Sequence, residues 1–507
     1  MPNVTLEIPS VLRRYSAGEA SLGVEAATAA EALERAFDVY SDLRSRVLDA
    51  SGRVFPYLLF FHNGREVRRD ALAETALAEG DVVEMIGAAE GGAHDDVRMR
   101  GFRTRVSVEE ALAVAVDGLA RLPAEDVAVT ESALRVLAAD VVSDVDVPPF
   151  RRAAMDGYAV RAEDTFGATL YNPVRLNLCG ESMPGGAAAG AVPAGGACRI
   201  MTGAAVPAGA DAVLPAERAR EGEGVVDVVD AIPPGKHVAR VGEDVDRGTT
   251  LLRSGRRLRP QDVGLLASVG CSPVSVVRRP RVRVLVTGNE ILPPGSRPDG
   301  NCIVDSNSPM LAALVGRDGG GALEVVRLAD DRAAIREALA IEGADVILTS
   351  GGTSVGREDY MPLLVGELGD LTVHGIAMRP AAPTGIGRIG AARVFLLPGN
   401  PVSCLSAYDF FAGPCIRTLA GLPEEWPYGA VELPLAGRIA SQLGRCDYVR
   451  VTIGEGGVIP LATKGASILT SVTRADGFVV VPSASEGLPE GDAVVVHLFD
   501  GWSLGGA

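Results

Sequence analysis

The chain of 507 residues is 47% hydrophobic but only 5% aromatic, with 61 glycines and 32 prolines. It is too long for one core and predicts about three to five domains, packed mainly by Val, Leu, Ile and Ala. Its net charge of −17 argues against general nucleic-acid or anionic-membrane binding, because phosphate neutralisation needs clustered Lys and Arg. A small anion held by a few local arginines stays open. The seven cysteines (Cys179, Cys198, Cys271, Cys302, Cys404, Cys415 and Cys446) form no C-x-x-C pair, which predicts reduced thiols in the cytoplasm over disulfides or zinc. Residues 1–10 lack the order of a signal peptide, and no apolar run approaches the roughly 20 residues of a membrane helix. The five histidines lie far apart, so a metal is expected on carboxylates, as magnesium more than zinc.

Residues 1–92 read as a separate small domain. VTLEI at 4–8 alternates as a strand, and residues 28–48 carry Ala32, Leu33, Ala36, Phe37, Tyr40, Leu43 and Val47 at helical spacing. YLLFF at 57–61 is followed by Asn63-Gly64, a strong hairpin signal. A last strand, VVEMI at 82–86, leads to Gly91-Gly92. This order resembles the ubiquitin-like β-grasp sulfur carriers, nearest the small subunit of molybdopterin synthase. In that family a terminal glycine carboxylate is adenylated and converted to a thiocarboxylate. A Gly91-Gly92 tail would be thin enough to enter a partner's site, but here Ala93 follows, so a carrier role requires cleavage after Gly92. The pair otherwise belongs to a linker.

Residues 93–104 are linker-like. Ser107 and Glu110 predict a capping box that opens a helix. Residues 105–142 and 241–279 then form a split connecting domain around a mostly β insertion, 143–240, marked by turns at Asp156-Gly157, Gly185-Gly186 and Gly209. Helical patterning is expected to return at 242–245 and 260–264. From residue 281 strands and helices alternate up to about 421, predicting a parallel sheet with helices on both faces, three layers in all. Within it DVIL at 345–348 and VFLL at 394–397 each run into a glycine-rich loop, SGGTS at 350–354 and PGNP at 398–401. Two such loops suggest one crevice at the carboxyl ends of the strands, where free backbone N–H groups suit an oxyanion. Residues 422–507 alternate as a small β domain.

The motifs MDGYA (155–159), MTGAAVPAGADAV (201–213), GEDV (242–245), TGNEI (287–291), DSNS (305–308), SGGTSVGREDY (350–360) and LPGNPVS (397–403) resemble the molybdopterin molybdenumtransferase family, which includes the E domain of gephyrin. The resemblance covers roughly residues 97–507. It implies a multidomain α/β subunit whose 280–421 segment binds molybdopterin, and an elongated homodimer with a cleft shared between subunits. It implies hydrolysis of adenylylated molybdopterin with release of AMP and insertion of molybdate at the dithiolene. By the same resemblance Asp156, Asp244, Glu290 and Asp359 are catalytic. Asp244, Glu290 and Asp305 would hold a magnesium ion at the pyrophosphate. Thr202, Ser350, Gly351, Gly352, Thr353, Ser354, Arg379, Pro383, Ser403 and Arg445 would bind substrate.

The family's K-P-G-K-P-type segment corresponds here to MRPAAP at 378–383. Arg379 keeps one charge, Ala382 removes the other and Pro383 is retained; loss of a cation weakens an oxyanion site. Arg450 and Lys464 are candidate replacements. The alternatives are a molybdopterin adenylyltransferase, against which MDGYA and GEDV argue, and a non-catalytic pterin-binding scaffold of the pathway. Expected partners are a second copy, molybdopterin adenylyltransferase and, for an active 1–92 segment, the molybdopterin-synthase large subunit and the carrier-activating adenylyltransferase.

Overall fold

The structure, a computed structural model, describes residues 1–8, 12, 15–17, 19–48, 54, 58–87, 105–186, 190–353, 359–462 and 465–499. The chain divides into two compact units, Met1–Arg100 and Gly101–Ala507.

The first unit is a five-stranded mixed sheet in the spatial order Ser21–Glu25, Asn3–Glu7, Val82–Gly87, Leu58–His62, Arg65–Val67. The first and last strands in sequence, Asn3–Glu7 and Val82–Gly87, lie side by side and run parallel, and the other neighbours are antiparallel. Helix Ala29–Val39, capped by the Thr28 hydroxyl, buries Ala32, Leu33, Ala36 and Phe37 in one core with Leu6, Phe60, Val83 and Met85. This is β-grasp topology. Asn63 (φ +49°) and Gly64 (φ +76°) are both left-handed, the backbone a two-residue type I′ turn requires. The single helix expected over 28–48 is instead two, Ala29–Val39 and Ser41–Val47, broken at Tyr40 (φ −126°, ψ 84°). Leu43 and Val47 stay buried across the break, so periodicity alone does not separate one helix from two. Gly91, Gly92 and the segment 93–104 lie outside the described residues.

In the second unit Ser107 and Glu110 form the expected capping box at the start of helix Val108–Val116. Strand Ala124–Val127 pairs with Val274–Val277, and Val141–Val142 with Thr250–Leu252, around Leu137, Leu258 and Leu266. Residues 242–245 form a turn, with Gly242 at φ +71°, and the helix of this region is Pro260–Ser268. Between these halves lies a six-stranded sheet made from strands between residues 157 and 228.

The central sheet runs Gly321–Leu328, Arg281–Thr287, Val346–Ser350, Ala392–Leu397, Gly385–Ile389, Asp370–His374; its first four strands are parallel and its last two antiparallel. Val346–Ser350 is buried at every position, as a strand covered on both faces must be. One face packs Leu311, Val315, Cys404 and Ile416 of the helical layer with Ala111 and Ala115; the other packs Ile335, Leu339, Leu364 and Val365. The last region is a mainly antiparallel sheet whose strands include Cys446–Gly454, Gly477–Val481 and Ala493–Leu498. Among the described residues no helix is long and apolar enough to cross a membrane.

Candidate active-site cleft

The strand order of the central sheet reverses at Arg281–Thr287. The chain moves from there to Gly321–Leu328 on one side and then returns to Val346–Ser350 on the other. Loops leaving the two strands diverge, and a crevice opens beyond their carboxyl ends. A cleft of about 980 Å³ lies there, walled by three loops: one with Gly288 and Glu290, one with Gly351 to Thr353, and one with Pro398 to Asn400.

Two glycines are required by this geometry. Gly351 has φ +92°, and a Cβ on it would stand 2.3 Å from the Thr287 carbonyl oxygen; on Gly352 (φ +61°) it would stand 2.9 Å from Thr287 Oγ1. Any other residue is both strained and blocked. The glycine loops also touch each other, since a Cβ on Gly399 would be 3.5 Å from Gly351 Cα. Asn307, at the start of helix Asn307–Arg317, spans them. Its Nδ2 donates to Ser350 Oγ at 2.8 Å and to the Gly399 carbonyl at 2.7 Å. The Cys404 thiol is hydrogen-bonded to Ser350 in turn, and burial pushes that thiol up to about 12, so it is not a thiolate nucleophile.

Four carboxylates face the cleft: Glu290, Asp305, Asp330 and Asp359. Asp305 is buried and accepts from the Ser308 N–H at 2.9 Å and from Ser308 Oγ at 2.5 Å, with Arg327 Nη1 3.7 Å away. It works as a cap on the first turn of its helix. Asn289 and Asp330 bond reciprocally: the Asn289 N–H donates to Asp330 Oδ2 at 3.2 Å, and the Asp330 N–H to Asn289 Oδ1 at 3.1 Å. This pair joins the loops after the first two parallel strands and sets the backbone next to exposed Glu290.

Of the residues singled out in the sequence, Glu290, Asp305, Ser350, Gly351, Gly352, Thr353, Asp359 and Pro383 share this one cleft. Asp156, Thr202 and Asp244 do not line it. Asp156 accepts from the Thr202 N–H and from Thr202 Oγ1, each at 2.7 Å. These bonds, the backbone one first, hold its carboxyl below the ordinary range. Asp244 sits exposed on the turn where its N–H donates to the Val147 carbonyl. Ser403 is buried within helix Pro401–Ala407, off the cleft wall. Arg379 and Arg445 come together on a third residue. Buried Asp447 accepts from Arg445 Nε at 2.8 Å, from Ser441 Oγ at 2.9 Å and from Arg379 Nη2. Ser354 and Lys464 lie outside the described residues.

Among the described residues no three His, Cys, Asp or Glu side chains are grouped to hold a metal ion. Both Asp305 oxygens are engaged by Ser308, and Asp244 lies off the cleft that Glu290 and Asp305 line. One chain therefore does not fit magnesium on these three residues. Sequence reasoning missed Asp330 and Asn307. An acidic residue just past a strand end was the available signal for Asp330, and Asn307 stood unremarked inside DSNS. Ser467 and Leu469 also line the cleft, and no local pattern marked them.

Comparison with known proteins agrees with this architecture. Residues 106–270 match the MoeA N-terminal region (domain I and II), 283–418 a probable molybdopterin binding domain, and 432–499 the MoeA C-terminal region (domain IV). The chain is 37% identical over 392 residues to molybdopterin molybdenumtransferase 2 of Mycobacterium tuberculosis, covering 74% of this chain and 95% of that protein. It is 35% identical over 386 residues to a putative molybdopterin biosynthesis protein of Methanocaldococcus jannaschii, covering 74% and 92%. A crystal structure of a molybdopterin biosynthesis MoeA protein from Pyrococcus horikoshii superposes with a TM-score of 0.64 at 36% identity, covering 79% of this chain and all of that one. With its α/β cleft, glycine loops and flanking β regions, this chain belongs to the molybdopterin molybdenumtransferase (MoeA) family.

Proposed function

We propose that the chain inserts molybdate into adenylylated molybdopterin with release of AMP. The observation that carries this reading is the cleft at the strand reversal, whose glycine loops admit no side chain and so leave backbone groups to meet a ligand. At about 980 Å³ it stands near the top of the roughly 300–1,000 Å³ range of small-molecule sites, room enough for a pterin carrying a nucleotide. The deciding experiment adds molybdate to the purified protein with adenylylated molybdopterin and follows AMP. Molybdate-dependent release is expected. No release would leave a scaffold, and a requirement for ATP would point to adenylyl transfer.

The scaffold reading has one observation in its favour: Ala382 removes a cation, and Arg379 and Arg445 are both engaged by Asp447. Two guanidinium groups on one carboxylate still leave a net positive charge for an oxyanion. The active reading also takes a homodimer in which a second copy brings Asp156, Thr202 and Asp244 to the cleft. Mixing Asp156→Ala with Gly352→Val subunits should then restore part of the activity that each lacks alone; no recovery would place both groups on one chain. The pyrophosphate oxygens are themselves magnesium ligands, so an ion brought with the substrate is compatible with a cleft whose described carboxylates are not grouped to hold a metal by themselves. The β-grasp unit is in this reading a sulfur carrier or a docking module. Intact mass of the native protein separates these: a fragment ending at Gly92 means a processed carrier, and an uncut chain means a docking module.

A further inference from the structure

We infer that Asn307 is the positioning residue of the pterin site, the side chain that holds the two glycine loops at a fixed separation. This rests on the reading of the cleft as a pterin site. The amide orientation follows from its partners. Gly399 offers a carbonyl, which only accepts, so the atom facing it at 2.7 Å must be the NH₂ nitrogen. The second N–H of that nitrogen goes to Ser350 Oγ at 2.8 Å. One side chain thus ties the residue that opens the first glycine loop to the middle of the second. Both bonds are shielded: Asn307 is 7% exposed and Ser350 1%.

The remaining amide atom supports a positioning role over a generic packing one. Asn307 Oδ1 is buried with no hydrogen-bond partner among the described residues, which costs stability. A leucine of similar size would avoid that cost, so what the asparagine supplies is the pair of donors. Nothing else among the described hydrogen bonds bridges Ser350 and Gly399. With the loops already touching at Gly351 and Gly399, a shift of either one changes the shape of the cleft where the ligand's backbone partners sit.

An isosteric change isolates the donors. In Asn307→Asp the ionised carboxylate faces the Gly399 carbonyl, acceptor against acceptor. Ser350 can turn its hydroxyl to the new side chain, but Gly399 cannot adapt. Burial raises the pKa of such a carboxyl, and once protonated it donates to Gly399 again. Pterin affinity is read by fluorescence titration from about pH 8 to about pH 5. The variant should bind adenylylated molybdopterin at least about tenfold more weakly at the upper end and recover several-fold at the lower end. Asn307→Leu should be as weak at the upper end and should not recover. Ser350→Ala keeps the Gly399 bond and serves if either Asn307 variant fails to fold; about threefold weakening is expected. A purely structural asparagine would lower the melting temperature of both variants and leave their pterin affinity at the wild-type value. Wild-type-like affinity of Asn307→Asp across the range, or identical profiles for Asp and Leu, overturns the inference. Absence of pterin binding by the unmutated protein overturns it together with the reading of the cleft, so the two failures are told apart.

Discussion

The glycine loops and the arginine cluster around Asp447 are built from opposite materials. In the loops the backbone is the functional surface. Positive φ at Gly351 and Gly352 and the approach of Thr287 fix where it lies, and no rotamer choice intervenes. In the cluster the surface is two long side chains, and their position is decided by a buried carboxylate 68 residues from Arg379 along the chain. A backbone site is therefore specified by the residues that form it. A side-chain site depends on a partner that its own motif does not contain.

Breaking the backbone site should have the larger effect. Gly351→Val places a β-branched side chain at φ +92° with its Cβ 2.3 Å from a carbonyl oxygen. Relief requires moving the strand end or the loop, at a cost of about 4 kcal/mol or more. Pterin affinity should fall at least about a hundredfold, with a lowered melting temperature. A variant that binds pterin normally would mean that the loop is not the binding surface.

The arginine cluster should respond less and asymmetrically. Asp447→Ala leaves two guanidinium groups facing each other without their shared anion. Their side chains are 31% and 21% exposed, so water relieves part of the charge, and about 2–3 kcal/mol is expected where a fully buried pair gives about 3–5 kcal/mol. Arg445→Met keeps Asp447 bonded to Arg379 and Ser441 and should cost about 1 kcal/mol. Urea denaturation measures both. Equal losses would mean that Asp447 is not the hub.

The same division explains what the sequence made legible. The glycine loops, the capping box at Ser107 and Glu110, and the Asn63-Gly64 turn were readable because each rests on local backbone demands. The parallel strands were readable because Val346–Ser350 is apolar over most of its length. The break at Tyr40 was hidden, since Ala36, Tyr40, Leu43 and Val47 keep a helical spacing on either side of it. The turn at 242–245 was misread as helical because Glu243 and Asp244 suit a first helical turn, whereas Gly242 at φ +71° does not. Neither the pairing of Arg379 and Arg445 with Asp447, nor the distance of Asp156 and Asp244 from the cleft, has a local signature. Arg445 lies only two residues from Asp447, but the arrival of Arg379 from 68 residues away and the placing of Asp156 and Asp244 are set by tertiary contacts. Asn307 is intermediate: its motif was visible, but its role depends on two loops brought together by the sheet.

The smallest expected effect lies where both materials meet, at the hairpin of the β-grasp unit. Backbone conformation sets the turn at Asn63 and Gly64, and Asp81 then accepts from the Ala78 N–H at 2.7 Å, from Asn63 Nδ2 at 2.8 Å and from His62 Nε2 at 2.7 Å. Those bonds, the backbone one first, lower its carboxyl from 3.8 to about 2. A depressed carboxylate pKa contributes stability that is present above the unfolded value and is lost as pH falls through the folded one. Protection factors for the amides of Val82–Gly87, measured on the full chain by hydrogen exchange, should therefore decline between about pH 4 and about pH 2. In Asp81→Asn the protection lost over that window should be smaller, because the titrating group is gone while Asn63 and Gly64 still make the turn. Because Asp81 is near the surface, the effect should be slight and reduced by salt. Equal acid profiles for the two proteins would assign the turn's stability to its backbone alone and place it wholly with the glycine loops.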